Sequence, residues 1–279
     1  MGDVCVITGG GSGMGLEVAK LMGDAHVIIT GRTVAKLENA VAAIKEVGVE
    51  AEAFACDVSD AASVAALVEY ATGVGAVKTV IHAAGVSPKM TDAATIFNTN
   101  ACGTINVDEQ FAAVMDGGVI LNVASMAGHM MPADQVPVQL YQASALGAEA
   151  LAAGFAQALA AIPEEQANGA AYSMSKNFVM WYTKHEAVKY GPKGIRVVSI
   201  SPGTFNTPMG KVEGEEAASF ALAGALGRLG EPVEIARMMA FMVSDEASYL
   251  DGVDILYDGG VIAAAQVRAE QAAAAENAQ

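Results

Sequence analysis

Residues 4–15 read Val-Cys-Val-Ile-Thr-Gly-Gly-Gly-Ser-Gly-Met-Gly, a short apolar run that enters a glycine-rich turn. A helical pattern follows over residues 16–22. Glycines between a strand and a helix allow a tight turn and the close approach of a pyrophosphate, which the helix N-terminus then faces. We therefore predict a nucleotide-binding loop here rather than a merely flexible turn. Its predicted contact residues are Gly9, Gly11, Ser12, Gly13, Met14 and Gly15.

Apolar runs and helical patterns alternate along the rest of the chain. The predicted strands lie at residues 4–7, 26–30, 50–55, 77–82, 119–123, 195–200 and 254–257. The predicted helices lie at 16–22, 34–46, 61–72, 95–115, 171–190 and 232–243. Nearly all the strands are apolar, which is typical of a parallel sheet that is buried on both faces. The pattern predicts an α/β protein with a three-layer Rossmann fold, in which helices cover both faces of a doubly wound parallel sheet of about seven strands.

The composition indicates a single α/β domain with a substantial core, because 53% of the 279 residues are hydrophobic. We expect the domain to span residues 1–262, followed by a C-terminal tail at 263–279 that is rich in Ala, Glu and Gln. The formal net charge is −16. A nucleic-acid or anionic-membrane surface would need a basic patch, so neither partner is expected. A small-molecule ligand is expected instead, and no metal.

The cysteines and apolar stretches bear on the compartment. Cys5, Cys56 and Cys102 form no paired framework and no CxxC spacing, which indicates free thiols in a reducing environment. No signal peptide is visible before the first strand. The longest apolar stretch, residues 140–162, contains Glu149 and glutamines, so it is predicted as an alanine-rich helical segment rather than a membrane span. We therefore expect a cytoplasmic protein.

Tyr172 and Lys176 are four residues apart, which places them one turn apart on the same face of a helix. A lysine ammonium close to a phenol favours the ionised phenol, so such a tyrosine can exchange a proton with an alcohol or ketone. A serine is expected upstream, at a strand end, to hold the reacting oxygen. Ser125 fits this position, although it lies 47 residues before Tyr172.

The end of the second predicted strand bears on the choice of cofactor. Proteins that bind NAD usually carry a carboxylate here for the ribose hydroxyls. This chain has Thr30-Gly-Arg-Thr33 instead, and Arg32 can hold a 2′-phosphate with a forked, charge-assisted contact. We therefore favour NADP(H), with contacts from Arg32 and Thr33, and NAD(H) stays open because the glycine loop has no basic residue of its own.

The chain resembles the short-chain dehydrogenase/reductases, in their compact single-domain branch, over about residues 4–260. The motifs that carry the resemblance are Thr8-Gly-x-x-x-Gly-x-Gly15, Asp57-Val58, Ala83-Ala-Gly85, Asn100-Ala-Cys-Gly103, Ser125, Tyr172 with Lys176, Pro202-Gly203 with Thr207, and Tyr257-Asp-Gly-Gly260. Each motif is modest alone, and their joint order and spacing support the assignment. The chain departs from the family pattern at His82 and Ala83, where asparagines are common.

The resemblance implies hydride transfer between a nicotinamide and the carbinol carbon of a ketone or secondary alcohol. Tyr172 would be the general acid/base, and Ser125 would orient the reacting oxygen. Lys176 would lower the pKa of Tyr172 and hold the ribose, and Asn100 would position a water molecule. The cofactor contacts that the resemblance implies are Asp57, Val58, Ala83, Ala84, Gly85, Tyr172, Lys176, Pro202, Gly203 and Thr207.

About 35 extra residues, approximately 129–169, separate Ser125 from Tyr172 relative to most of this branch. A helical pattern covers residues 146–161, and Ile-Pro-Glu-Glu-Gln-Ala-Asn-Gly at 162–169 is predicted to be a loop. The insertion is interpreted either as a lid over the substrate, lined by Met130, Met131, Leu140 and Tyr141, or as a helical hairpin that covers the Tyr172 helix or alters subunit packing. Both interpretations can hold together. A second loop, at 205–216, is also expected to shape the pocket.

Similar insertions occur in relatives that act on hydroxysteroids and bulky carbonyl compounds. This looser resemblance suggests a bulky, apolar ketone or secondary alcohol, with a hydroxysteroid or bile-acid-like compound as one option. The family often forms homodimers or homotetramers, and either state is expected here. Two alternatives stay open: an NAD-dependent dehydrogenase of the same family, and a non-catalytic regulatory protein that binds a nucleotide.

Overall fold

The computed structural model describes residues 2–277, in which seven strands form one parallel sheet. The strands are β1 (Asp3–Thr8), β2 (His26–Gly31), β3 (Ala51–Ala55), β4 (Ala76–His82), β5 (Gly118–Val123), β6 (Ile195–Pro202) and β7 (Asp254–Tyr257). Their order is β3-β2-β1-β4-β5-β6-β7, and each neighbouring pair is parallel. The winding therefore reverses between β1 and β4, and this reversal opens a crevice at the carboxyl ends of the strands. The predicted doubly wound Rossmann sheet is confirmed.

Helices connect the strands and cover both faces of the sheet. They are α1 (Gly13–Ala19), α2 (Val34–Glu46), α3 (Ala61–Val74), α4 (Ala93–Phe97), α5 (Gly103–Val114), α6 (Met126–His129), α7 (Val138–Tyr141), α8 (Ala148–Leu159), α9 (Glu164–Tyr190), α10 (Pro208–Ala223), α11 (Pro232–Val243) and α12 (Val261–Asn277). The bounds of α2 and α11 coincide with the predicted ranges.

Successive residues of the strands supply two separate hydrophobic clusters. In β1, Cys5 and Ile7 pack with residues of α1, α2 and α11, whereas Val4 and Val6 pack with residues of α3, α5 and α9. All four side chains are at most 1% exposed. Because adjacent strand residues point to opposite faces, an unbroken apolar run is required when helices cover both faces. Each buried valine or isoleucine side chain contributes about 1.5–3 kcal/mol by leaving water.

The single helix predicted at 95–115 is interrupted. After α4, residues Asn98–Cys102 form a π-helical segment, and α5 then begins at Gly103. The N–H of Gly103 donates to the carbonyl of Asn98, five residues back, which widens the helix locally. The apolar periodicity on both sides gives no sign of this break, and the widened turn contains Asn100.

The loop predicted at 162–169 is mostly helix, because α9 begins at Glu164 directly after Pro163. Two glutamates in its first turn favour this start, since carboxylates stabilise a helix N-terminus. Asn168-Gly169 suggests a turn, but the side chain of Asn168 bonds to the loop that follows β4. The loop predicted at 205–216 is also wrong in its second half, because α10 begins at Pro208, and Thr207 caps it by accepting from the N–H of Gly210 at 3.0 Å.

The 129–169 insertion packs on the outside of the helix that carries Tyr172. Tyr141 is fully buried, and its hydroxyl donates to the carbonyl of Met174 at 3.0 Å. Phe155 of α8 stacks on Phe97, with ring centroids 3.8 Å apart and parallel planes. The insertion therefore packs on α4 and α9, and its interpretation as a substrate lid lined by Met130, Met131 and Leu140 stays a prediction. Tyr141 belongs to this hydrophobic cluster, so its predicted place in a substrate lid is wrong.

As far as Asn277, the predicted tail at 263–279 continues a helix that begins inside the predicted domain. Val261 and Ile262, at the start of α12, are buried, and most of the following residues are exposed. Residues 278–279 lie outside the described part of the chain. Among the helices within residues 2–277, none is both long and apolar enough to cross a membrane.

Candidate active site

The glycine-rich loop lies at the reversal point of the sheet, between β1 and α1. Gly9 has a φ of 67°, and a Cβ at this position would lie 2.7 Å from the carbonyl oxygen of Ala83. A Cβ at Gly15 would lie 2.6 Å from the carbonyl oxygen of Gly9. Any larger residue at either position would push the loop off β4 or the helix off the loop. The backbone therefore forms a cradle that side chains would fill, which fits a pyrophosphate at the N-terminus of α1.

A cleft runs from this loop across the ends of β2, β3 and β4. The predicted cofactor residues that line it are Gly9, Gly11, Ser12, Arg32, Thr33, Asp57, Val58, Ala84 and Gly85. Sequence reasoning missed Thr8, Thr30, Gly31, Lys36, Leu37, Cys56, Val86 and Thr99, which also line it. Lys36 could have been found, because it is a second cation close to Arg32, in the first turn of the helix predicted at 34–46.

The other predicted cofactor residues lie outside this lining. They are Gly13, Met14, Gly15, Ala83, Tyr172, Lys176, Pro202, Gly203 and Thr207. Gly13 is nevertheless close to Thr207, because a Cβ at Gly13 would lie 3.6 Å from Cγ2 of Thr207. The loop after β6 thus reaches the N-terminus of α1.

His82, which departs from the family pattern, links the ends of β1 and β4. Its Nδ1 lies 2.8 Å from Oγ1 of Thr8, and the same Oγ1 accepts from the backbone N–H of Ala84 at 3.0 Å. Burial, together with the nearby charge of Lys176, lowers the pKa of His82 to about 3, so the ring is neutral. Thr8 and His82 together fix the position of Ala84 at the floor of the cleft.

Asn100 is held by the loop that follows β4. Its Oδ1 accepts from the N–H of Val86 at 2.9 Å, and its Nδ2 donates to the carbonyl of Val86 at 3.0 Å. Gly85 separates Asn100 from the lysine. A Cβ at Gly85 would lie 3.1 Å from Oδ1 of Asn100 and 3.4 Å from Nζ of Lys176. The structure thus brings the predicted Asn100 and Lys176 to the same end of the cleft.

Ser125 at the start of α6 and Tyr172 on α9 are brought near each other by the packing of these two helices, in spite of their distance in sequence. Ser125 caps α6, and its Oγ accepts from the N–H of Ala127 at 3.2 Å. The short helix α6 then packs against the backbone of α9, since a Cβ at Gly128 would lie 2.8 Å from the backbone nitrogen of Asn177. Nδ2 of Asn177 also donates to the carbonyl of Gly128 at 2.8 Å. The insertion lies between α6 and Tyr172 in the sequence, and it leaves the contact between α6 and α9 intact.

The pKa values of Tyr172 and Lys176 differ from the expectation that Lys176 lowers the pKa of Tyr172. Burial raises the pKa of Tyr172 to about 12, and the hydroxyl of Ser125 acts in the opposite direction. Lys176 is 6% exposed, and burial lowers its pKa to about 8. Its ammonium donates to the carbonyl of Val123 at 2.8 Å. Desolvation of both groups therefore outweighs the attraction that the one-turn spacing suggests.

A nucleotide-binding crevice beside buried Ser125, Lys176 and Asn100 and the partly buried Tyr172 defines an oxidoreductase of the Rossmann class. Comparisons with known proteins agree with this class. A family model described as short chain dehydrogenase matches residues 3–163. A second model, described as Enoyl-(Acyl carrier protein) reductase, matches residues 154–262.

Similar proteins match nearly the whole chain. An uncharacterised oxidoreductase, YxbG of Bacillus subtilis (strain 168), is 31% identical and covers 92% of this chain and 90% of its own. The cis-4-hydroxycyclohexanecarboxylate dehydrogenase of Sinomonas cyclohexanicum is 29% identical, and the match covers 93% of this chain and 96% of that protein. A solved structure of a variant of actinorhodin polyketide ketoreductase with NADPH shares the fold, with a TM-score of 0.75 at 24% identity, and covers 93% of this chain and 97% of that one.

The chain belongs to the short-chain dehydrogenase family. It is an oxidoreductase that acts on the CH–OH group of alcohols, or on the corresponding ketones, and the family uses a nicotinamide cofactor. The cleft fits such a dinucleotide, because glycine backbone forms its floor where side chains would block it.

Proposed function

We propose that this protein is an NADP(H)-dependent dehydrogenase or ketoreductase, and that its substrate reacts at a site formed by Ser125 and Tyr172. The observation that carries the proposal is the convergence of these two side chains with Lys176 and Asn100 at the end of the nucleotide cleft. Bound there, a nicotinamide would supply or accept the hydride. The binding, the orientation of the substrate and the movement of the proton are tasks of the chain's own residues.

Each of the four residues has a task that follows from its position. Tyr172 gives its phenolic proton to the substrate oxygen in reduction and removes one in oxidation. Ser125 donates a hydrogen bond to the same oxygen and orients it. Lys176 keeps its positive charge near the cofactor ribose and the phenol, and Asn100 holds the loop at Val86, which positions Gly85 beside Lys176. Proton transfer by a positioned group contributes roughly 10²- to 10⁴-fold in rate.

The cofactor preference rests on two cations at the adenosine end of the cleft. Arg32 and Lys36 both line it beyond β2, and no carboxylate follows β2 directly. A 2′-phosphate would gain a forked contact from the arginine and a point charge from the lysine. Asp57 lines the same cleft, but its Oδ1 already accepts from Ser59 N at 3.0 Å and from Ser59 Oγ at 2.7 Å. This arrangement favours NADP(H) over NAD(H).

The proposed substrate is a bulky, largely apolar ketone or secondary alcohol. One relative is named for a hydroxylated cyclohexane ring, which supports a cyclic secondary alcohol. A hydroxysteroid-like ring system is the larger member of this class. The single domain at 1–262, the cytoplasmic location and assembly into homodimers or homotetramers stay predictions. Light scattering on the purified protein measures the assembly.

The catalytic proposal is tested by NADPH oxidation with a panel of cyclic and steroidal ketones. Tyr172→Phe is expected to lower kcat by about 10²- to 10⁴-fold, because it removes the exchanging proton and leaves the ring in place. Tyr249→Phe is the matched control, since Tyr249 is fully exposed. If Tyr172→Phe reduces these ketones as fast as the wild type, the proposal is wrong. If the wild type binds NADPH but reduces none of them, the non-catalytic alternative is favoured.

The cofactor proposal is tested by titrating NADPH and NADH into the Arg32→Ala and Lys36→Ala variants. Each is expected to weaken NADPH by about 10-fold or more and to leave NADH nearly unchanged, since a charge-assisted contact is worth about 1.5–3 kcal/mol. Lys45→Ala is the control, because Lys45 is exposed on the same helix as Lys36. Equal losses for the two cofactors would contradict the 2′-phosphate assignment.

A further inference from the structure

The short helix that Ser125 caps is fixed by contacts at its other end. α6 is a single turn of four residues, and such a turn is unstable alone because helix nucleation is unfavourable. Its orientation must therefore come from the elements that contact it, which include α9 and β6. The bond from Asn177 to Gly128 joins it to α9. A second bond starts at His129, the last residue of α6 and the first of the 129–169 insertion.

His129 joins α6 to the edge strand of the sheet. Its Nε2 lies 2.8 Å from Oδ2 of Asp254, the first residue of β7. An ionised carboxylate only accepts hydrogen bonds, so Nε2 of His129 carries a proton and donates it to this bond. The two residues are 125 positions apart in the chain, so the bond is a tertiary contact rather than a property of the turn itself.

Asp254 is held in place by two serines of β6. Oγ of Ser199 donates to its Oδ1 at 2.6 Å, and Oγ of Ser201 donates to its Oδ2 at 2.8 Å. The side chain of Asp254 is only 5% exposed, and a buried carboxylate requires such donors. The carboxylate therefore has a fixed position on the sheet, and both serines still hold it when the bond to His129 is removed.

The His129–Asp254 pair lies apart from the nucleotide cleft. Neither residue lines the cleft, and neither do Ser199 and Ser201. Within residues 2–277, no group of three or more His, Cys, Asp or Glu side chains is placed to hold a metal ion. Any effect of the pair on the reaction must therefore come through the elements that it joins.

We infer that His129 is a positioning residue, which fixes the position of Ser125 by tying the end of α6 to Asp254. Ser125 and His129 lie at the two ends of one turn, so a change in the direction of α6 displaces the serine hydroxyl. The bond also fixes the chain where the insertion begins, so movements of the insertion do not reach Ser125. The role of His129 rests on the proposed reaction at Ser125 and Tyr172, and it adds the residue that keeps Ser125 in place.

The test measures NADPH oxidation with the panel of cyclic and steroidal ketones in two variants of His129. His129→Leu removes the donor and keeps an apolar side chain. It is expected to lower kcat by about 10- to 100-fold, because a small displacement of an orienting group has effects of this size. KM for NADPH should stay within a factor of about two, since the nucleotide cleft is not touched. His129→Gln keeps an N–H donor at a similar reach, so its kcat should stay within about 3-fold of the wild type.

A double variant tests whether His129 acts through Ser125. The Ser125→Ala protein has no hydroxyl to position, so adding His129→Leu to it should lower the residual kcat by less than about 2-fold. The matched control is His185→Leu. His185 is exposed on α9, and its hydrogen bond, to the carbonyl of Trp181, stays within that helix. Its kcat should equal that of the wild type.

Equal losses of kcat from His129→Leu with and without the hydroxyl of Ser125 would overturn the positioning role. An unchanged kcat in His129→Leu would overturn it too, as would the same loss in His129→Gln as in His129→Leu. The proposed function survives these three results. Absence of ketone reduction by the wild type would instead overturn the proposed function, and the role of His129 with it. Thermal melting shows whether His129→Leu is folded, and His129→Asn, whose shorter side chain does not reach Asp254, replaces it if it is not.

Discussion

The nucleotide side and the substrate side of this site are built in different ways. The loop that would hold the phosphates is one contiguous segment between β1 and α1, and its shape is set by backbone and by glycines such as Gly9. The substrate side is assembled from segments far apart in the chain. Asn168 contacts residues 77 and 80 positions away, and Lys89 reaches Glu213 over 124 positions.

This difference separates what each side can recognise. A backbone cradle fits one ligand shape and tolerates little change, so it suits an invariant phosphate group. Side-chain contacts between distant segments can change one at a time without disturbing the sheet. Specificity for the substrate can therefore vary while the nucleotide side stays the same. Substitutions on the two sides should separate stability, cofactor affinity and substrate affinity.

The largest effect is expected from the cover formed by the insertion. Phe155→Ala should lower the free energy of unfolding by about 3–5 kcal/mol, because it removes a fully packed ring from its stack on Phe97. The NADPH affinity of the folded protein should stay within a factor of about two. Urea denaturation and NADPH titration measure the two quantities. Phe241→Ala, at a 44% exposed position, is the control. A large change in NADPH affinity at unchanged stability would contradict the independence of the nucleotide side and the substrate side.

Lys176 lies where the two sides meet, and its pKa makes stability depend on pH. Its pKa is about 8 in the folded protein, against an ordinary 10.5. Between these values the unfolded chain binds the proton that the folded protein has lost, so stability rises with pH across this window. The rise is about 3 kcal/mol, at about 1.4 kcal/mol for each pH unit.

The measurement is urea denaturation of the wild type and of Lys176→Met at about pH 7.5 and pH 10.5, without nucleotide. The difference between the two proteins should change in favour of the wild type as the pH rises. Lys184→Met, at an exposed position of the same helix, should show no such change. A difference independent of pH would mean that Lys176 is not desolvated.

The nucleotide side should respond to a single methyl group. Gly9→Ala is expected to weaken NADPH by about 10- to 100-fold, because the new Cβ would overlap the backbone at Ala83 and cost roughly 1–3 kcal/mol. Gly48→Ala is the control, since Gly48 also has a positive φ, of 87°, but a Cβ at Gly48 would meet no atom within 4 Å. Similar NADPH affinities for the two variants would show that the loop moves freely.

The smallest effect is expected on the substrate side. Asn168→Ala removes two hydrogen bonds, of 3.0 and 2.9 Å, to the carbonyls of Pro88 and Thr91. We expect KM for the ketone to rise about 3- to 10-fold, since each bond is worth about 1 kcal/mol, while KM for NADPH is unchanged. Gln166→Ala, exposed one half-turn earlier, is the control. A change in KM for NADPH alone would show that Asn168 supports the nucleotide side rather than the substrate side.

The same division explains what can be predicted from the sequence. Local sequence patterns predict the phosphate loop, the doubly wound parallel sheet and the bounds of α2 and α11, because each depends on neighbouring residues. The start of α9 escapes prediction because Asn168-Gly169 suggests a turn, whereas the contacts of Asn168 lie on another segment. The closeness of Ser125 and Tyr172 is expected from the family resemblance rather than from spacing.

One feature of the site has no local signal at all. The break at Asn98–Cys102 lies within an uninterrupted apolar periodicity, and the π-helical turn is visible only in the backbone. Lys36 differs, because its place in the first turn of the helix that follows Arg32 could have been used.

The crossover between β5 and β6 also affects how the chain folds. These strands are neighbours in the sheet, yet the chain runs from Val123 to Ile195 before they can pair, and the insertion supplies about half of that length. Doubling a loop raises the entropy cost of closing it by only about 0.6 kcal/mol, and the packing of Phe155 on Phe97 more than offsets this. The rate is affected more than the equilibrium, because pairing over a longer separation slows folding. We therefore expect β6 and β7 to join the sheet late, after the nucleotide half has formed.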